Sequence, residues 1–118
     1  MKGDAPAVEI IASALWIGLP SIVLGELRTG FLMGNQKARN EEELQKFLRH
    51  PMVEILEVED EAARIYPEII VALRSAGTPL PTNDIWIAAV AARAGATILT
   101  YDDHFRLIHR VGSTVLSV

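Results

Sequence analysis

Hydrophobic positions along the chain fall into short apolar blocks separated by polar or Gly/Pro punctuation, and the period within the blocks switches between helical and extended. Ala5 to Ala14 is apolar-rich and reads as a helix, although Val8, Ile10 and Ile11 leave a strand open. Leu15-Trp16-Ile17-Gly18-Leu19-Pro20 reads as a short strand closed by proline, after which Ser21 caps a helix through Phe31 that ends near Gly34. Asn40 and Glu43 have capping-box spacing, and Leu44, Phe47 and Leu48 carry a helical stripe up to Pro51. Met52 to Val58 alternates and is β-branched, as a strand requires. Asp60 then caps a helix carrying Ala63, Ile65, Ile69, Ile70 and Leu73 up to Gly77, in which Pro67 predicts a kink or a restart near Tyr66. Thr82 or Asn83 caps an Ala-rich helix that stops at Gly95. Ala96 to Tyr101 is a strand, Asp102 or Asp103 opens a short helix, and Thr114 to Val118 is a last strand. This alternation predicts a three-layer α/β domain with a largely parallel sheet.

Composition narrows the class. There is no internal repeat, low-complexity tract or linker, so residues 1–118 read as one domain, long enough to bury about two-thirds of the surface of its unfolded chain. Half the residues are hydrophobic and only 6% aromatic, which suits helices packed on a buried parallel sheet. No apolar run approaches the ~20 residues of a membrane span, and Met1-Lys2-Gly3-Asp4 leads into no signal-peptide core, so the chain reads as cytoplasmic. The absence of cysteine excludes disulfides, thiolate metal sites and a Cys nucleophile. Any metal must then be held by oxygen or imidazole, which makes Mg²⁺ or Mn²⁺ the default. A net charge of -4 speaks against a broad nucleic-acid footprint. Two basic groups stand out locally, Arg28, Lys37, Arg39, Lys46 and Arg49 in one stretch and Arg106, His109 and Arg110 in another, and solvated helix faces explain both.

The candidate chemistry lies in carboxylates. Asp84 opens the Ala-rich helix, where free backbone donors favour an anion, but the apolar run Ile85-Trp86-Ile87-Ala88-Ala89 behind it predicts a start at the inner end of a crevice. Asp102 and Asp103 end a strand at the edge where α/β folds bind ligands. One of them serves as the next helix cap, and the reading assigns Asp103 to the cap and Asp102 to the site. Thr100 points to the same side of the strand as Asp102. Glu26 shares a helix side with Ile22 and Gly30, a surface that looks too apolar and small to be plainly solvated. Were Glu26, Asp84 and Asp102 to converge, each pair ~4 Å apart would repel by about 4 kcal/mol at an effective dielectric near 20. Such a cluster calls for protons or a divalent cation. His104 and His109 stand five residues apart, poor spacing for shared ligation, and His104 and Trp86 read as a surface and a core residue respectively.

Three segments carry a family resemblance: Ile17-Gly18-Leu19-Pro20-Ser21-Ile22-Val23-Leu24-Gly25-Glu26-Leu27-Arg28-Thr29-Gly30-Phe31, Gly77-Thr78-Pro79-Leu80-Pro81-Thr82-Asn83-Asp84-Ile85-Trp86-Ile87-Ala88-Ala89, and Leu99-Thr100-Tyr101-Asp102-Asp103-His104-Phe105. In this order and spacing they resemble the PIN domain, in particular the VapC-type toxin ribonucleases of toxin-antitoxin pairs. The resemblance implies a Mg²⁺- or Mn²⁺-dependent endoribonuclease acting on single-stranded RNA, with Glu26, Asp84 and Asp102 as catalytic and metal-binding residues. Asn83, Thr100 and Asp103 follow as secondary contributors, and an antitoxin blocks the pocket. It also implies that the family's first strand and its aspartate precede the segment resembling Lys2-Gly3-Asp4. A chain read from Met1 is therefore expected to lack both, to leave sticky sheet edges, and to associate as a homodimer or higher oligomer or to swap segments. The alternative is a catalytically inactive PIN-like module that acts by antitoxin binding or self-association.

Overall fold

The computed structural model describes residues 5–116. In chain order they form α1 (Ala5–Ser13), β1 (Ile17–Pro20), α2 (Ser21–Met33), α3 (Lys37–Leu48), β2 (Val53–Leu56), α4 (Asp60–Ser75), α5 (Thr82–Ala94), β3 (Ile98–Thr100), a 3-10 helix (Asp103–Leu107) and β4 (Ser113–Val115). The element order matches the one expected from periodicity. Lys2-Gly3-Asp4 and the end of the last expected strand, Ser117 and Val118, lie outside the described residues.

The strands pair in parallel, as expected, but in two separate pairs. β1 runs beside β2 with Ile17 opposite Val53 and Pro20 opposite Leu56, and β3 runs beside β4 with Ile98 opposite Ser113 and Thr100 opposite Val115. Parallel neighbours need a crossover, and helices supply it: α2 and α3 link β1 to β2, and the segment carrying the 3-10 helix links β3 to β4. The result is a three-layer α/β domain. Its core joins Leu56, Ile69, Leu73, Ile85, Val90 and Phe105, with α4 and α5 forming the most extensive helix interface. Ala88, Ala89 and Ala91 are buried on α5, and such small side chains let neighbouring elements approach closely. Trp86 is half-buried and stacks on Tyr66, with ring centroids 4.1 Å apart, and Tyr66 in turn packs against the core.

Helix ends depart from the sequence reading where two candidate caps compete. Glu59, not Asp60, caps α4: its carboxylate accepts from the Ala62 N–H at 3.1 Å, and Asp60 instead pairs with Arg64 one turn on. Pro20 and Pro81 precede α2 and α5, so Ser21 and Thr82 are first-turn residues rather than caps. Asn40 lies inside α3, which already begins at Lys37. Helix α4 runs through Pro67 without a restart, and it buries Ala62 rather than Ala63. Pro67 and Ala63 are both exposed, so water can reach the carbonyl that lost its donor. At the end of α5 the expectation holds, because Gly95 adopts φ 68°, a left-handed conformation that favours glycine.

The Glu59 carboxylate also lies 3.3 Å from Arg93 Nε and so ties the start of α4 to α5. Glu59→Ala should therefore cost about 1 kcal/mol, the usual scale of a lost cap, in urea unfolding. An unchanged midpoint would show that the cap contributes nothing.

Candidate metal centre

The turn after β3 carries Asp102 and the first turn of α5 carries Asp84, close enough for the charge of Asp102 to act on Asp84. Thr100 closes β3, and its hydroxyl accepts from the Asp102 N–H at 2.9 Å, which fixes the turn leaving the strand. Asp102 then caps the 3-10 helix: its Oδ1 accepts from the His104 N–H at 2.8 Å. This corrects the division of labour read from the sequence, since Asp102 holds the cap and Asp103 does not. Asp103 is exposed and pairs with Arg106 at 2.9 Å. A single carboxylate can cap and still face a ligand, because its second oxygen is left for other contacts.

Asp84 stands in the first turn of α5, half-buried, with Ile85 beside it almost wholly inside the core. Burial raises the proton affinity of its carboxyl, and the nearby charges of Asp102 and Glu26 raise it further, while His104 opposes them. Electrostatics thus links the three carboxylates. They are not drawn into a finished cage, for no group of three acidic or histidine side chains among the described residues has metal-holding geometry. The sequence suggested a sheltered position for Glu26, yet Glu26, Gly25 and Gly30 are all exposed on α2. Asn83 is exposed beside Asp84 and does not cap α5.

His104 reads from the sequence as an ordinary surface residue. It is exposed, but the structure also places it at the site, with its Nδ1 3.1 Å from Asp102 Oδ1. The signal was present in the spacing, since a residue two beyond a capping aspartate is one whose N–H that cap can receive. The basic groups resolve differently. Arg28 makes a two-pronged contact with Glu41, at 3.0 and 2.9 Å, which holds Glu41 at a pKa of about 2. Arg39 pairs with Glu43, Lys46 with Glu42 and Arg110 with Glu68. These cations serve helix surfaces.

The PIN domain family matches residues 2–111. The chain belongs to the PIN domain family. This PIN domain is 33% identical over 92 residues to ribonuclease VapC5 of Mycobacterium tuberculosis, a match spanning 78% of this chain and 68% of that protein. It is 31% identical over 93 residues to ribonuclease VapC2 of Rickettsia felis, spanning 79% and 68%. Among solved structures, VapBC2 from Rickettsia felis bound to a promoter DNA fragment superposes with a TM-score of 0.79 at 28% identity, covering 93% of this chain and 82% of that one. VapBC-5 from Mycobacterium tuberculosis gives 0.70 at 31% identity, covering 82% and 79%. Among the described residues no helix is long and apolar enough to cross a membrane.

Proposed function

We propose that this PIN domain is a metal-dependent endoribonuclease and the toxin half of a toxin-antitoxin pair, with Glu26, Asp84 and Asp102 as its catalytic and metal-binding residues. The observation that carries the reading is the setting of Asp84, half-buried at the start of α5 and within the field of Asp102 and Glu26. Carboxylates that repel one another at the carboxyl end of a strand suit a hard cation, and an all-oxygen donor set suits Mg²⁺ or Mn²⁺. Such an ion supplies phosphate neutralisation and a bound water of lowered pKa. Asp84 and Asp102 would hold the ion, with Glu26 contributing from α2. Thr100 and His104 orient Asp102, exposed Asn83 beside Asp84 is a secondary contributor, and Asp103 belongs to the surface ion pair with Arg106.

The ribonuclease names of the relatives and the VapBC complexes among the structural neighbours support RNA as substrate and an antitoxin as partner. A toxin acting on cellular RNA works in the cytoplasm. One observation favours the second reading, a catalytically inactive module that binds antitoxin or itself: no group of three acidic or histidine side chains among the described residues has metal-holding geometry. Cleavage of a single-stranded RNA with Mn²⁺, suppressed by a chelator and reduced at least tenfold by Glu26→Gln, is the expected result. Absence of metal-dependent cleavage by the parent chain selects the inactive module.

A further inference from the structure

Past Asp102 the two neighbouring polar side chains go different ways. Asp103 pairs with Arg106 at 2.9 Å, whereas His104 turns its ring back to Asp102, with Nδ1 3.1 Å from the same Oδ1 that accepts the His104 N–H at 2.8 Å. Backbone and ring of one residue thus hold one carboxylate oxygen, which sets the orientation of the imidazole. A carboxylate oxygen only accepts, so the proton of the neutral ring sits on Nδ1 and the lone pair on Nε2. Among the described residues no group pairs with Nε2, and 69% of the His104 side chain is exposed. The ring also belongs to the site electrically, because its charge acts on Asp84. A free acceptor nitrogen therefore stands beside the carboxylates of the candidate metal centre.

We infer that His104 Nε2 accepts a hydrogen bond from a ribose 2′-hydroxyl of the substrate, and so makes the site prefer RNA to a chain that lacks this donor. The inference rests on the reading of the site as a ribonuclease centre and deepens it. Acceptor character decides the partner. Phosphate oxygens only accept, so along a single-stranded backbone the 2′-hydroxyl is the donor that Nε2 can take, and it is the group by which a protein tells RNA from DNA. The contact needs no change of charge on the ring. It also leaves the hold on Asp102 intact, because Nδ1 and Nε2 lie at different edges of the imidazole.

The test compares a fluorescein-labelled single-stranded RNA with the same sequence carrying 2′-fluorine throughout, which removes the donor and keeps an RNA-like sugar pucker. Binding to the full chain is read by fluorescence anisotropy with Ca²⁺, an oxygen-binding cation, and cleavage is read separately with Mn²⁺. The parent should bind the RNA about three- to tenfold tighter, the scale of one neutral hydrogen bond. His104→Asn, whose amide N–H can replace Nδ1–H on Asp102 but which has no atom in the place of Nε2, should bring the two affinities within about twofold of each other. His104→Gln reaches further with an acceptor oxygen and should keep the preference. His104 is exposed and outside the core, so both variants should melt as the parent does. Equal affinities of the parent for the two oligonucleotides overturn the inference. So does a preference unchanged in His104→Asn, which would leave His104 acting only on Asp102. A preference without cleavage by the parent ends the ribonuclease reading and upholds the contact, and cleavage without a preference does the reverse.

Discussion

Asp84→Asn is expected to weaken Mn²⁺ binding at least tenfold and to leave the fold intact or slightly more stable at neutral pH. The two effects have one cause. Asp84 is half-buried beside Asp102 and Glu26, so its ionised form is disfavoured and its pKa lies above the ordinary carboxylate value. The native state then holds this proton at pH values where the unfolded chain has already lost it. Stability from this group is therefore fully present below the ordinary carboxylate pKa and is lost as pH rises through the raised one, and asparagine removes that loss. Metal affinity follows the opposite course, because a cation competes with the proton: it should rise as pH rises through the same pKa. Thermal melting and calorimetry on parent and variant, at pH values on either side of that transition, check both directions. A variant that is destabilised and still binds Mn²⁺ normally would show that Asp84 is a structural helix-start residue.

Ile85→Ala is expected to be the most damaging single core substitution beside the site. Ile85 is 1% exposed and belongs to the core cluster that holds α5. Truncations of this kind cost about 2–5 kcal/mol, a large share of a stability margin of roughly 5–15 kcal/mol. A melting temperature lower by about 10 °C or more is expected. Val71→Ala, on the exposed side of α4, should cost less than about 0.5 kcal/mol. Equal losses at the two positions would contradict the packing described for α5.

Much of the fold was legible because apolar blocks and their breakers delimit each element, and because Gly95 marks a helix end. Cap choice was less legible. Glu59 and Asp60 are adjacent acids, and only the backbone conformation decides which becomes the cap. The same ambiguity put the cap on Asp103, whereas Asp102 holds it, although both lay in the right turn. The shelter expected around Glu26 was not legible, because Gly30 on its helix side suggests close packing, whereas here Gly30 faces solvent. The division of the strands into two pairs rests on long-range contacts, which local periodicity does not encode.

The central claim is that Glu26, Asp84 and Asp102 bind a divalent cation. Calorimetric titration of the parent chain with Mn²⁺ tests it most directly. Saturable binding that is lost in Asp84→Asn is the predicted result, and no binding by the parent chain would contradict the account.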